Sequence, residues 1–346
     1  MQTLRRTPLH ERHAALGARL VPFAGWEMPV QYTSVRAEHR AVRESAGVFD
    51  VSHMGQLELA DDGAHAYLQA RLSNDLDRIG AGQAQYTLLT NERGGIVDDL
   101  ISYRRGDDDY LLVVNASNVG ADHRVLHETD DVSDRHALLA VQGPEALGRL
   151  EVDVARFTFR EDDVLGVRCL VAGTGYTGER GCELGCAPDD AVRLWDAILE
   201  RGIAPCGLAA RDTLRLEACY PLHGNDITPD RTPIEAGLGW ACALAKEFTG
   251  VDVLRGQKES GPAEKLVAFV MDDKGIPRSG MAVEGGGEVT SGSLSPMLDV
   301  GIGLAYVPAD RAEPATELTI DLRGRPRKGH IVRKPIYKRE EGERGG

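Results

Sequence analysis

The chain has 346 residues, 42% hydrophobic and 27% charged, with 54 acidic against 40 basic side chains and a net charge of −14. That length holds two or three domains with cores of their own, and the composition excludes wholesale disorder. The negative charge argues against nucleic acid or an anionic membrane as main partner, and no apolar run approaches the roughly 20 residues a spanning helix needs.

Residues 9–20 (LHERHAALGARL) and 36–44 (RAEHRAVRE) carry helical periodicity, with a turn-rich stretch, PFAGWEMPVQYTS, between them. GVFDVSHMGQLEL reads as a strand and residues 62–72 as a helix. Residues 85–116 are the clearest β region: QYTLLT, IVDDLISYR and YLLVVNA, separated by Gly- and Asp-rich turns. LLAVQGPEALGRL predicts strand, turn and helix, and further helices are expected at 189–201 and 208–219. Composition shifts near residues 258–265, and short strands then alternate with Gly and Pro turns, predicting a separate all-β domain after a boundary near 255. The tail is basic (Arg323, Arg325, Arg327, Lys328, Arg333, Lys334), and residues 341–346 are expected to be disordered. The N-terminus lacks the apolar core of a signal peptide, and the six cysteines include no C-x-x-C pair, so free buried thiols and a cytoplasmic location are expected.

Residues 173–181, GTGYTGERG, contain a literal G-x-G-x-x-G after the apolar run VRCLVA. A dinucleotide turn needs a helix starting at the last glycine, whose N-terminal amides hold the pyrophosphate. Here the next helical pattern begins near Asp189, about ten residues too late, so a hairpin returning through CELG is predicted. On that return strand Glu183 shares a face with Gly181 and Gly185, which leaves room for a flat ligand, although a solvent-facing edge carboxylate fits the same pattern.

In IVDDLISYR the two-residue period puts Val97, Asp99, Ile101 and Tyr103 on one face, and Ile96, Asp98, Leu100 and Ser102 on the other. One of the two carboxylates must face the covered side, where it is either hydrogen-bonded structurally or kept for chemistry. The alternation does not say which. Asn115 ends the run YLLVVN on the face of Leu111 and Val113, where an amide suits a heteroaromatic ring or a neighbouring backbone. Arg211 and Arg215 are four residues apart and repel unless acids such as Asp212 and Glu217, or an anionic ligand, compensate them. His123 and His127 lack a third ligand nearby, so no metal site is expected.

Taken together, GWEMPVQY, GVFDVSHMGQ, NERGGIVDDLI, GTGYTGERGCEL, GLAARDTLRLEACYPLHGNDI, TPIEAGLGW and the tail RKPIYKR closely resemble the aminomethyltransferase (T-protein) family of the glycine cleavage system, in the family's order. The resemblance implies an α+β fold: a folate-binding region of two ferredoxin-like units with interleaved segments (residues 1–255), plus a C-terminal β-barrel domain (256–340). It implies transfer of the one-carbon unit from the lipoyl group of a partner H-protein to tetrahydrofolate, giving 5,10-methylenetetrahydrofolate, ammonia and the dihydrolipoyl carrier. It makes Asp99 the catalytic carboxylate, with Asn115 and Glu183 on the pterin edge, Val113 and Tyr86 lining its pocket, and Arg211 on an anionic part of the folate. Met54, Tyr176 and Trp240 match further pocket positions. His223 stands where the family often has Tyr, and Tyr337 lies in the region of a tail tyrosine.

Two alternatives compete. A folate-binding relative used in iron–sulfur assembly carries a K-G-C-Y-x-G-Q-E motif that this chain lacks. An NAD-binding oxidoreductase would need the helix that GTGYTGERG does not start.

Overall fold

A computed structural model of the chain describes residues 3–339. The first predicted helix is short, His10–Ala15, because Gly17 turns the chain at positive φ. The turn-rich stretch after it is a hairpin, Arg19–Phe23 with Trp26–Gln31. Its two-residue loop, Ala24 and Gly25, has positive φ at both positions, which matches the twist of the flanking strands. Helix Val35–Glu44 follows, capped by the Ser34 hydroxyl on the Ala37 amide.

GVFDVSHMGQLEL is not one strand. Gly47–Asp50 joins a first, six-stranded sheet, and Gly55–Leu59 joins a second, five-stranded sheet. The chain builds the second sheet from Gln83–Thr90, Ile96–Arg104, Tyr110–Val114 and Asp130–Asp131, then returns to the first through Ala137–Gln142, Phe159–Val164, Val167–Ala172, Gly181–Cys186 and Ala204–Pro205. One face of the first sheet packs Val141, Val171, Cys182 and Leu184 under helices Ala146–Leu150 and Ala191–Glu200. One face of the second packs Leu57, Leu89, Leu100 and Leu112 under helices Ala64–Gln69 and Val119–Val125. The opposite faces meet through Tyr103, Leu111 and Ala172. All six cysteines are buried and free, and no helix among the described residues is long and apolar enough to cross a membrane.

After helix Leu208–Glu217 and helix Val251–Ser260, the chain forms a third sheet in the order Glu288–Leu294, Gly301–Pro308, Glu264–Met271, Pro326–Val332, Glu317–Asp321. Its ladder is open, and single bridges from Ala282 to Glu288 and from Val283 to Ile320 link its two edge strands. The basic stretch is thus partly a core strand, with Lys328 hydrogen-bonded to Glu317. The residue-255 boundary falls inside helix Val251–Ser260, whose Val251 and Leu254 pack with Leu88 and Ile96 of the second sheet. The tail at 341–346 lies outside the described residues.

One buried carboxylate joins three parts of the molecule. Glu217 ends helix Leu208–Glu217, meets His39 at 3.0 Å and Arg43 at 3.0 Å from helix Val35–Glu44, and accepts from the Ser295 hydroxyl beside the third sheet. Burial alone would raise its carboxyl, but the His39 hydrogen bond and the His39 and Arg43 charges outweigh that and hold it below the usual range. Removing it leaves His39 without its acid and Arg43 with Glu179 alone as acidic partner. Glu217→Ala should therefore cost about 3–5 kcal/mol in urea unfolding. Because the folded-state carboxyl is depressed, this contribution is present above about pH 4.3 and lost as pH falls below it. A shallower acid limb in Glu217→Gln than in wild type checks the assignment.

Candidate active site

The inner faces of the first two sheets, helix Leu208–Glu217 and residues of the third sheet and its loops line a cavity of about 990 Å³. Asp99, Asn115, Glu183, Arg211, Tyr86, Val113, Met54, Tyr176 and Trp240 all line it. The strand-to-strand crossover at 51–54 carries His53 and Met54 into its wall. Tyr337 does not line it; its ring lies 5.0 Å from the Arg43 guanidinium, while Lys334 and Pro335 reach the cavity instead.

The strand bearing the two aspartates departs from strict alternation. Leu89 pairs with Asp98 but Thr90 pairs with Ile96, so Val97 is an extra, bulged residue. Ile96 consequently packs with Leu88, and Val97 packs with Leu100 and Leu89, the reverse of the predicted faces for both. Beyond the bulge the alternation holds. Asp99 faces the cavity and Asp98 is fully buried beneath the sheet.

Asp99 is fixed at both oxygens. The Tyr86 hydroxyl donates to Oδ2 at 3.0 Å and the Asn115 amide to Oδ1 at 2.9 Å. Burial and the Asp98 charge push its carboxyl up to about 7, against those two hydrogen bonds. Burial and the Asp99 charge keep the Tyr86 hydroxyl protonated. Asn115 also gives its amide hydrogens to Asp98 at 2.8 Å, so Oδ1 is the atom it can offer to a ligand. Asp98 accepts in addition from the Asn115 backbone at 3.1 Å and from Asn118 at 2.6 Å. The same Asn118 amide meets His223 Nδ1 at 2.9 Å in the cavity wall. Asp98 is the carboxylate that the alternation left open, and Asn118 escaped the sequence reading of the site; its only signal was an Asn three residues after Asn115.

The glycine motif forms a hairpin loop. Val167–Ala172 and Gly181–Cys186 pair antiparallel, with Ala172 opposite Glu183, and a strand rather than a helix follows Gly178. A Cβ at Gly173 would lie 2.0 Å from the Ala155 carbonyl oxygen, and Gly178 has φ +82°, so each is required for its own reason. The loop delivers Thr174, whose hydroxyl donates to Glu183 at 2.6 Å, and Tyr176, whose hydroxyl donates to the Pro221 carbonyl. Cys182 and Leu184 go into the core while Glu183 faces the cavity.

Helix Leu208–Glu217 separates its two arginines. Arg215 is satisfied by Asp226 at 2.7 Å, Asp212 at 2.8 Å and the Ser291 hydroxyl at 2.9 Å. Arg211 has no ion pair among the described residues, and its buried Nη1 lacks any hydrogen-bond partner. Its guanidinium sits 4.9 Å from the Tyr176 ring centre, burial lowers its proton affinity and the Glu183 charge opposes that. Trp240 closes one side, 64% exposed and stacked on Tyr86 at 5.4 Å. The cavity thus offers an acid poised near neutrality, a second carboxylate, an uncompensated cation and aromatic walls.

Two family models match the chain: the GCVT N-terminal domain over residues 9–246 and the Glycine cleavage T-protein C-terminal barrel domain over residues 264–338. The aminomethyltransferase of Geobacillus thermodenitrificans is 48% identical, covering 97% of this chain and 99% of that protein. That of Bacillus cytotoxicus is 45% identical over 99% of this chain and all of the relative. The crystal structure of glycine cleavage system aminomethyltransferase T from Bartonella henselae matches with a TM-score of 0.89 at 34% identity, covering 96% of this chain and 98% of that one.

The geometry around Asp99 makes a direct test. Its carboxyl ¹³C resonance should titrate with a midpoint of about 7, and Asp98→Asn should lower the midpoint by about one unit or more by removing the neighbouring charge. A raised carboxyl binds its proton more tightly folded than unfolded. Its contribution to stability is therefore complete below about pH 4 and declines as pH rises towards the folded midpoint.

Proposed function

The chain belongs to the glycine cleavage T-protein family of aminomethyltransferases, and from that premise we propose that its cavity takes tetrahydrofolate and receives the lipoyl arm of an H-protein. The enzyme is a glycine cleavage system aminomethyltransferase. We read the region that ends with helix Val251–Ser260 as two ferredoxin-like units exchanging segments, and the strands from Glu264 to Val332 as a β-barrel domain.

The observation that carries the folate reading is Arg211, a half-buried cation in the cavity wall whose buried Nη1 is unpartnered and on which the charge of the cavity-facing Glu183 acts. Such a pair is costly when empty, and it suits a ligand that brings both an anion and an N–H edge. A cavity of about 990 Å³ is at the upper end of the roughly 300–1,000 Å³ usual for small-molecule sites. Glu183, oriented by Thr174, accepts from the ring N–H groups of the pterin, and Asn115 Oδ1 accepts alongside it. Val113 and the Tyr86 ring give the apolar wall, Met54 and Tyr176 extend it, and Trp240 covers the mouth. Arg211 meets an electronegative part of the same ligand.

Tetrahydrofolate supplies the two nitrogen nucleophiles that accept the carbon, and the two protons they lose leave on the amine and on the carrier thiol. Asp99 manages that proton traffic. Near neutrality its carboxyl can be either protonated or ionised, the condition under which a general acid or base works best. Tyr86 and Asn115 hold its two oxygens in place, so orientation is established before substrate arrives.

Asp99→Asn should lower kcat by about 10²–10⁴-fold, with Asp98→Asn, beneath the cavity floor, costing less; wild-type turnover in Asp99→Asn defeats the assignment. Arg211→Met should weaken tetrahydrofolate binding in a calorimetric titration by about 10–100-fold, yet leave thermal stability equal or higher, because an unpaired half-buried cation is removed. A parallel titration with NAD should show no binding.

A further inference from the structure

Asp122 is a buried acid on the far side of the second sheet from the cavity, in helix Val119–Val125. It is completely inaccessible, and neither of its carboxyl oxygens receives a hydrogen bond from any N–H or hydroxyl of the described residues. It lies one turn after Asn118 on the same face of the chain's helical turn, and the Asn118 amide donates to Asp98 at 2.6 Å, so the Asp122 and Asp98 carboxyls face each other. Two carboxylates facing each other in a low-dielectric interior cannot both be ionised, so one proton lies between them. The surroundings decide its owner. Asp98 already accepts three N–H hydrogen bonds, from the Asn115 backbone, the Asn115 amide and the Asn118 amide, whereas Asp122 accepts none. Donors favour the ionised form. Asp98 is therefore the carboxylate and Asp122 the neutral acid whose O–H completes its shell.

We propose that Asp122 is a positioning residue for the transfer reaction: a buried acid that gives its O–H to Asp98, keeps it ionised and oriented, and so fixes the charge lying beneath Asp99. This rests on the reading of Asp99 as the acid–base group. Asp98 and Asp99 are adjacent on one strand and share Asn115, whose amide donates to both. The charge on Asp98 is one of the two causes that hold the Asp99 carboxyl near neutrality. Burial first, then Asp98, pushes Asp122 itself up to about 10. The other groups facing Asp122 do not change the assignment. Asp99 raises it further and Arg124 on its own helix opposes. The strand Gly55–Leu59 beneath the helix presents Leu57 to this face, with Glu58 turned away towards Arg105.

The test uses the full-length enzyme. Infrared difference spectra at about pH 8.5, where Asp99 is mostly ionised and Asp122 is not, should show a protonated-carboxyl C=O band that disappears in Asp122→Asn. Absence of the band, or its survival in Asp122→Asn, overturns the proposal whatever the other variants do. Asp122→Asn keeps an N–H donor on Asp98 and should retain kcat within about threefold, with the Asp99 ¹³C midpoint and the pH profile of kcat unmoved. Asp122→Leu deprives Asp98 of its donor. It should drop the Asp99 midpoint by about one unit, move the kcat profile with it and lower kcat about tenfold, with KM for folate unchanged. Equal behaviour of the Asn and Leu variants overturns the proposal as well. Full activity in Asp99→Asn would instead remove the catalytic reading of Asp99 while leaving the infrared band in place.

Discussion

The charges buried along helix Leu208–Glu217 constrain everything around the cavity. The helix carries two guanidinium groups and a carboxylate into regions where none can be left to water. Glu217 is compensated by His39 and Arg43 and tied to Ser295. Arg215 is compensated by Asp226 and Asp212 and reaches Ser291. Pulling either arrangement apart separates buried charges from their partners, so the helix, helix Val35–Glu44 and the third sheet are held in one relative placement. Arg211, one turn before Arg215, is the exception. Of these three charges only Arg211 lacks a protein partner among the described residues, and it lies in the cavity wall.

A second constraint acts across a single strand. Asp98 and Asp99 are consecutive, so the pleat sends them to opposite faces, and Asn115 and its neighbour strand bind them together from the side. The face with helix Val119–Val125 is closed, and the acid there is answered by amides and by Asp122. The other face opens to the cavity, where the acid is answered by only two donors and sits near its neutral point. The same side-chain chemistry thus does two jobs because the two faces differ in what covers them.

Much of this was legible in the residues. The hairpin reading of GTGYTGERG followed from the missing helix start, and the face of Glu183 followed from the pleat. The repulsion between Arg211 and Arg215 flagged a site that resolves into one paired and one unpaired cation. Other features were hidden for identifiable reasons. The bulge at Val97 reversed two residues of an otherwise correct alternation, because register is set by the partner strand. GVFDVSHMGQLEL reads as one β run, yet its halves pair with strands much later in the chain, Tyr110–Val114 and Ala137–Gln142, in different sheets. Helix Val119–Val125 is too short for its periodicity to stand out, and with it went Asp122.

What the sequence determined by itself is local and chemical: which stretches form hairpins, which residue types could carry proton transfer, and the resemblance that joins them. Those follow from steric preferences and side-chain chemistry within a few neighbours. What only the tertiary structure decided is which charges are paired. Whether Asp98 or Asp99 is covered, whether Arg211 or Arg215 finds an acid, and whether Asp122 keeps its proton depend on segments far apart in the chain. Burial removes the water that would otherwise make such pairings nearly equivalent, so their energies exist only once the fold has formed.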